Sequence, residues 1–315
     1  MAKTFHLKFA VTGEARGEIA ARVVLDFYDK LRGTPNRISL IFGSSDSDLG
    51  GTGVPVTVGR KKYDLGFANP ASLARMALLG RGFYREKIPL RAIGVFPSWD
   101  RLVFAVRRDS GIQSLEDIKE KKLPLRVSSR EGGKLHSTLF AIDEVLKGYG
   151  FSLADIEKWG GKVFRAGSPS SKERTEQLER GELDAVFDEG IKSWGAPALR
   201  SGMRFLPLSQ PVMKRMEHAG YSGAVLAPEH YPELDREILC VDFSGWLLFC
   251  HRDLPADLAY ELARKISEDH KRIPVDHIDG RAMTPEEFCR GGEGGPLVIP
   301  LHPGARRYFR EKKYL

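Results

Sequence analysis

Residues 90–108 read LRAIGVFPSWDRLVFAVRR, and this stretch decides the fold because its pattern changes twice. The apolar run Leu90 to Phe96 predicts a buried strand, Pro97 to Asp100 breaks it, and Leu102 to Val106 is a second run rich in β-branched and aromatic residues. The stretch therefore predicts a strand, a polar corner and a second strand. Such a corner suits a ligand wall or a crossover between domains, since the strands fix its exposed side chains, but it equally suits a surface turn.

A second stretch of the same type follows later in the chain. Val241 to Gly245 forms a polar corner, and an apolar run from Trp246 to Cys250 follows it. Because a complete set of alternating strand and helix patterns separates the two stretches, we interpret both as crossings between two α/β lobes. The predicted lobe 1 comprises residues 1–103 and 246–315, and the predicted lobe 2 comprises residues 104–245. A ligand cleft is expected between the lobes.

Length, composition and charge narrow the class of protein. A chain of 315 residues exceeds the usual size of a single core. Hydrophobic residues make up 42% and charged residues 29% of it, which is typical of a soluble globular protein, and no stretch is apolar enough for a transmembrane span. The formal net charge is +7, but the cations are interspersed with acids except in the C-terminal group from Arg306 to Lys313. We therefore expect no nucleic-acid partner, whereas a small anionic ligand suits the charge.

The three cysteines, Cys240, Cys250 and Cys289, leave at least one thiol unpaired, and no CxxC or His/Cys ligand spacing is present. The sequence thus predicts neither a disulfide framework nor a metal site, implies no cofactor, and leaves the oligomeric state open. Met1 to Val11 contains no long hydrophobic region and no cleavage site of small residues. The protein is therefore expected to be cytoplasmic if Met1 is the native start, and periplasmic if a leader has been removed.

Polar residues follow each of the first three predicted strands. Thr12 and Gly13 follow the strand at 7–11, Ser45 follows the strand at 38–42, and Asn69 follows the strand at 63–68. Ligands in open α/β sheets gather at the carboxyl ends of strands, beside the N-termini of helices, so we expect these residues to converge on one edge. Helix capping or turn chemistry explains any one of them equally well. The predicted ligand contacts of lobe 1 are Thr12, Gly13, Ser45, Asn69, Ser98 and Trp99.

A second candidate site lies in the run Ser128 to Gly133, which follows a predicted strand at 125–127 and opens a helix predicted at about 134–149. A loop rich in Ser and Gly at the start of a helix favours anions, because free N–H groups and the helix dipole point at it. Arg130 adds a bidentate donor for a carboxylate. His136, in the first turn of the predicted helix, is either a ligand contact or a surface histidine.

Asp188 and Glu189 end another buried strand and could receive an ammonium group or sugar hydroxyls. In an enzyme they would be the acid and base candidates. Adjacent residues of a strand point to opposite faces, however, so a paired dyad is the weaker idea and no catalytic residue is assigned. The predicted ligand contacts of lobe 2 are Ser129, Arg130, His136, Asp188 and Glu189.

Five segments spread over nearly the whole chain resemble the type II periplasmic binding proteins, and most closely the TAXI group of TRAP-transporter solute receptors. They are YDLGFANP (63–70), GRGFYREKIPLRAI (80–93), RRDSGIQSLEDIK (107–119), LERGELDAVF (178–187) and PLHPGARRYFRE (300–311). The last of these is the most specific. The resemblance implies two α/β lobes joined by two crossing strands, hinge closure on a small carboxylate-bearing solute such as an amino acid or dicarboxylate, and delivery to a membrane permease or use as a ligand sensor.

A second resemblance points to an enzyme. Val95 to Ser98 and Asp109 to Ile112 look like segments of the dihydroxyphthalate decarboxylases, a cytoplasmic family built on the same fold. The N-terminal third and the run His302 to Ala305 fit the receptor better. Because a fold does not fix a function, decarboxylation of an aromatic acid is the alternative to solute binding.

Overall fold

In the computed structural model, residues 5–27, 33–43 and 50–315 are described. In chain order the strands are β1 (His6–Val11), β2 (Arg37–Phe42), β3 (Leu65–Ala68), β4 (Leu90–Phe96), β5 (Arg101–Arg107), β6 (Arg126–Arg130), β7 (Lys162–Ala166), β8 (Ala185–Asp188), β9 (Met203–Leu206), β10 (Ser222–Leu226), β11 (Ile238–Asp242), β12 (Trp246–His251), β13 (Gly291–Gly292) and β14 (Gly295–Pro296). The helices are α1 (Glu14–Asp26), α2 (Val54–Gly59), α3 (Ser72–Leu79), α4 (Leu115–Glu120), α5 (Ser137–Gly148), α6 (Leu153–Lys158), α7 (Lys172–Glu179), α8 (Ile191–Arg200), α9 (Gln210–Ala219), α10 (Ala256–Glu268), α11 (Pro285–Arg290) and α12 (Pro303–Glu311). Within these ranges, no helix has both the length and the apolar character that crossing a membrane requires.

The stretch that begins at Leu90 forms the predicted strand, corner and strand, because β4 and β5 flank the corner at Pro97. The corner is not exposed as expected, since Ser98 and Trp99 are only 4% and 1% exposed. Backbone hydrogen bonds hold Ser98 inside: its N–H donates to Gly294 O at 2.7 Å, and its carbonyl accepts from Gly245 N at 2.9 Å. Ser98 and Trp99 are therefore packed side chains and not exposed ones.

The chain divides into two α/β units, as the sequence predicts. Unit 1 comprises Met1–Trp99, Leu135–Ser137 and Ser244–Leu315, and unit 2 comprises Asp100–Lys134 and Thr138–Phe243. The first boundary precedes β5, whereas the sequence placed it inside that strand, at 103/104. All of β5 belongs to unit 2 because its residues pair with β8, β9 and β11.

The second boundary also lies earlier than the predicted 245/246, because Ser244 and Gly245 bond within unit 1: Ala71 N donates to Ser244 O at 3.2 Å. The short segment Leu135–Ser137 is a further part of unit 1 that no sequence pattern indicates. Thr52 holds it there, since both its N–H and its Oγ1 donate to Leu135 O at 3.0 Å.

The unit 1 sheet has the order β2-β1-β3-β12-β4. β1 is parallel to β2 and β3, and β12 is antiparallel to both β3 and β4. Strands β1 to β4 therefore run in one direction and end at one edge of the sheet. The core beneath it includes a row of aromatic rings, with Phe9 and Phe67 centred 5.4 Å apart and Phe67 and Phe96 5.9 Å apart. Burial of these rings fixes the faces of three strands at once.

The unit 2 sheet has the order β10-β11-β5-β8-β6-β7, with β9 also paired to β5. β6 is parallel to β7 and β8, whereas β5 is antiparallel to β8. The carboxyl ends of β6 and β8 consequently lie side by side. These ends carry Arg130 and Asp188, which are far apart in sequence.

Candidate ligand-binding site

The carboxyl edge of the unit 1 sheet collects most of the residues predicted for lobe 1. Thr12 and Gly13 lie between β1 and α1, Asn69 lies between β3 and α3, and Ser98 follows β4. Because these strands are parallel, their ends meet at one edge, as expected for a ligand-binding α/β sheet. Ser45 lies outside the described residues.

Arg16 is a cation at this edge that no sequence pattern indicates. Its Nε donates to Thr12 O at 2.7 Å, and its guanidinium carbon lies 5.8 Å from the centre of the Trp246 ring. Gly13 has a φ of 86°, and a Cβ at Gly13 would collide with the Arg16 guanidinium. Glycine therefore lets the loop and Arg16 approach each other. A basic residue in the first turn of a helix opposes the helix dipole and is typical of a solvated surface, which is why the sequence did not reveal it.

Two expectations for the neighbouring residues need correction. Ser98 and Trp99 are buried rather than exposed on a corner. α5 begins at Ser137 rather than near Lys134, so half-buried His136 lies just before the helix and not in its first turn. A ligand contact by any of the three stays a prediction.

The carboxyl edge of the unit 2 sheet holds a buried network of charges. Arg174 donates from Nη2 to Asp188 Oδ2 at 2.6 Å and from Nε to Ser128 Oγ at 2.9 Å. Arg130 Nη2 donates to the other oxygen of the same carboxylate, Asp188 Oδ1, at 3.2 Å. The three charged side chains are at most 7% exposed, so two guanidinium groups bracket a carboxylate away from solvent. Burial raises the pKa of Asp188, and the positive charges of Arg130 and Arg174 oppose that rise.

Glu189 contacts the same Arg130 guanidinium as Asp188, which contradicts the expectation that these adjacent acids point apart. β8 ends at Asp188, and Gly190 has a φ of 69°, so the two-residue period of a strand no longer applies to Glu189. Thr138 Oγ1 donates to Glu189 Oε1 at 3.4 Å. Both acids thereby converge on one cation.

Arg130, the predicted carboxylate clamp, has carboxylate partners within its own chain. It is the last residue of β6, so Ser128 to Arg130 form a strand end rather than the predicted loop. Burial alone would lower the pKa of Arg130, but the charges of Glu189 and Asp188 raise it. These acids use its Nε and Nη2, whereas Nη1 has no hydrogen-bond partner in the part of the chain that the structure describes.

Asp100 completes the network at the start of unit 2. Its carboxyl group accepts the Gly190 N–H at 2.8 and 2.9 Å and the Arg101 N–H at 2.7 Å. Burial raises the pKa of Asp100 well above its usual range, and the charge of Glu189 and a hydrogen bond to it raise the pKa further. Burial and the neighbouring carboxylate of Glu189 therefore both favour the protonated form of Asp100.

Ser129, also predicted as a ligand contact, is fully buried on β6. Its Oγ lacks a hydrogen-bond partner among residues 5–27, 33–43 and 50–315. A buried hydroxyl without a partner costs free energy, so an acceptor atom brought to it would be stabilising.

Arg174 and Asp100 are network members that sequence reasoning missed. Arg174 lies in the charged run SKERTEQ (171–177), which is typical of a solvated helix face. Asp100 is one polar residue of a corner, and nothing local distinguishes a buried carboxyl from an exposed one. Only the packing of α7 and β8 reveals their roles.

The described residues contain no group of three His, Cys, Asp or Glu side chains that could hold a metal ion. All three cysteines are free and buried, and burial raises the pKa of Cys240 to about 12 and that of Cys289 to about 11. Their thiols are therefore protonated at neutral pH. Each of the two sheet edges, taken by itself, presents oriented donors that suit the binding of an anion.

Comparison with known proteins gives a family and a set of similar folds. A sequence model of the NMT1-like family matches residues 56–312. Among solved structures, the chain is similar to the periplasmic aliphatic sulphonate binding protein SsuA from Escherichia coli, with 15% identity, a TM-score of 0.41, and coverage of 86% of this chain and 75% of the other. It is also similar to lactococcal OpuAC complexed with glycine betaine (9% identity, TM-score 0.45, coverage 98% and 96%). A TRAP periplasmic solute binding protein from Rhodobacter sphaeroides matches with 10% identity, a TM-score of 0.37, and coverage of 83% and 76%.

Proposed function

The chain belongs to the NMT1-like family, and from that premise we propose that it is a solute-binding protein for a small organic anion. The observation that carries the proposal is the charge and fixed orientation of the Arg130 guanidinium group. Asp188 and Glu189 hold its guanidinium charged and oriented, while Nη1 has no partner among the described residues. A cation fixed in this way forms a charged hydrogen bond without first losing the rotamer freedom of a surface arginine.

Unit 1 supports the same ligand class from its own edge. Thr12 and Asn69 offer uncharged polar groups at strand ends, and Arg16 adds a positive charge beside Thr12. Uncharged donors and a cation are the groups that recognise a carboxylate or sulfonate.

The finer parts of the proposal rest on the resemblance of segments such as 63–70 and 300–311 to the TAXI receptors. In this proposal the solute is a carboxylate of the amino-acid or dicarboxylate class, and the protein closes on it by a hinge motion. The protein acts in the periplasm and delivers the solute to a TRAP-type membrane permease, or it serves as a ligand sensor. Serving as a receptor requires tight binding of the solute without its chemical change.

A calorimetric screen of small carboxylates and sulfonates tests the proposal. For any anion that binds, Arg130→Ala is expected to weaken binding by about 1.5–3 kcal/mol, because a charged hydrogen bond is lost. The affinity of Arg130→Lys should lie between those of the wild type and Arg130→Ala, because lysine keeps the charge but loses the planar geometry of the guanidinium group. Arg165→Ala is the matched control: Arg165 pairs in register with Ser129 on the neighbouring strand, but its side chain is exposed, so affinity should not change.

Two results would contradict the proposal. Equal affinity in the wild type and in a folded Arg130→Ala variant removes Arg130 from the site. Release of carbon dioxide from a dihydroxyphthalate, followed in the same samples, would replace the receptor by the decarboxylase.

A further inference from the structure

A cavity of about 380 Å³ lies within unit 1, between the end of α2 and the segment that joins α3 to β4. The segment belongs to the run GRGFYREKIPLRAI at 80–93, which the proposed solute site does not use. Ile88 and Pro89 line the cavity and directly precede β4, whereas Ser98 follows that strand. The cavity is therefore at the amino end of β4, away from the carboxyl edge.

The cavity has an apolar lining held by a fixed segment. Val56, Phe83 and Ile88 contribute apolar side chains. Tyr84, which is 5% exposed, donates its hydroxyl to Thr52 O at 2.8 Å, and Ile88 N donates to a carbonyl of α3 at 2.8 Å. Because these bonds tie both halves of the segment to the unit, the cavity exists before any ligand arrives.

Three cations also line the cavity, namely Arg60, Arg85 and Lys87, together with the acid Glu86. All three are exposed, and none has an ion-pair partner within the part of the chain that the structure describes. By contrast, the neighbouring Lys61 pairs with Asp253 at 2.9 Å. The rim of the cavity thus carries an excess of positive charge available to a ligand.

We propose that this cavity is a second binding site, separate from the solute site, for an amphipathic organic anion with an aryl or alkyl body and a carboxylate or sulfonate head. Its volume falls within the range of about 300–1,000 Å³ that is usual for small-molecule sites. The apolar body packs against Phe83 and Ile88, and the head lies at the rim near Arg60 and Lys87. Burial of the body and attraction of the head act together, so neither a neutral body nor a bare anion binds as well.

Fluorine NMR titration with para-trifluoromethyl benzenesulfonate tests the site. Relative to the wild type, Arg60→Gln/Lys87→Gln is expected to lose one bound molecule per chain, or to bind it at least about tenfold more weakly, because two charged contacts are gone. Arg306→Gln/Arg310→Gln is the matched control, since it removes the same charge from exposed positions on α12 and should leave binding unchanged. Arg130→Ala should retain this site, which keeps the result independent of the proposed solute site.

The neutral analogue para-trifluoromethyl benzyl alcohol should bind more weakly than the sulfonate. The inference is overturned if the wild type and the charge variant bind the same number of sulfonate molecules with the same affinity. It is also overturned if the neutral analogue binds to the wild type as tightly as the sulfonate does. Melting temperatures of the two double variants, measured alongside, should match that of the wild type because the four side chains are exposed.

Discussion

Arg174 donates from Nη2 to Asp188 Oδ2 at 2.6 Å, and the two side chains are 1% and 0% exposed. Removing one partner of such a pair leaves a charge in a dry interior, which typically costs about 3–5 kcal/mol. Arg130 still faces the same carboxylate and offsets part of that cost. Arg174 therefore stabilises the site by holding Asp188, which in turn orients Arg130.

Arg174→Met should lower the free energy of unfolding by about 3 kcal/mol, measured by urea denaturation. Lys158→Met is the control, because Lys158 forms an ion pair with Asp155 at the surface and its loss should cost under about 0.5 kcal/mol. A loss below about 1 kcal/mol for Arg174→Met would mean that the pair is not a buried one in solution.

Asp100 makes stability depend on pH in a direction that its raised pKa fixes. In the unfolded chain the carboxyl ionises near the ordinary value of 3.8, whereas in the folded chain burial and Glu189 keep it protonated to higher pH. Its contribution to stability is complete below the unfolded value and is lost as pH rises toward the folded pKa. The slope for one proton is about 1.4 kcal/mol per pH unit at most.

Asp100→Asn has no proton to lose, so the variant should gain stability relative to the wild type as pH rises above about 4. Denaturation at a series of pH values measures that difference. The chosen control is Asp184→Asn, because Arg126 holds the pKa of Asp184 low against the effect of burial. This variant should lose stability relative to the wild type as pH rises toward 3.8, and the difference should stay level above that pH. A pH-independent difference for Asp100→Asn would contradict the raised pKa.

Gly295 lies against the second crossing, where a Cβ on it would be 2.5 Å from the Cα of Gly245. The Cα of Gly245 is a backbone atom, so it cannot move aside without shifting the chain. Gly295→Ala should therefore destabilise the protein by about 1–3 kcal/mol. Gly292→Ala is the matched control from the same hairpin, because a Cβ there would have its nearest neighbour 3.9 Å away. Thermal melting compares the two, and equal melting temperatures would refute the close contact.

Much of the fold is readable from local sequence because strand and corner signals are local. The apolar run at 90–96 and its counterpart at 246–250 predict β4 and β12, and the turn residues after β1 and β3 predict where these strands end. The parallel order of the strands then brings Thr12 and Asn69 to one edge. Ser98 shows the limit of this reasoning, since a polar residue in a corner looks exposed until its backbone partners are known.

The sequence by itself determined the alternation of strands and helices, the two α/β units, and the strand end that carries Asp188, because each depends on periodicity and turn residues within a short window. The strand end at Arg130 was not among them, since the sequence placed Arg130 in a loop. Only the tertiary structure decided that Arg174 is buried, that Asp188 and Glu189 meet one guanidinium, and that Arg16 lies beside Thr12. Arg130 and Asp188 are 58 residues apart in sequence, and the parallel pairing of β6 with β8 brings them together. The charge state and partners of a buried group depend on such long-range packing, which no local pattern contains.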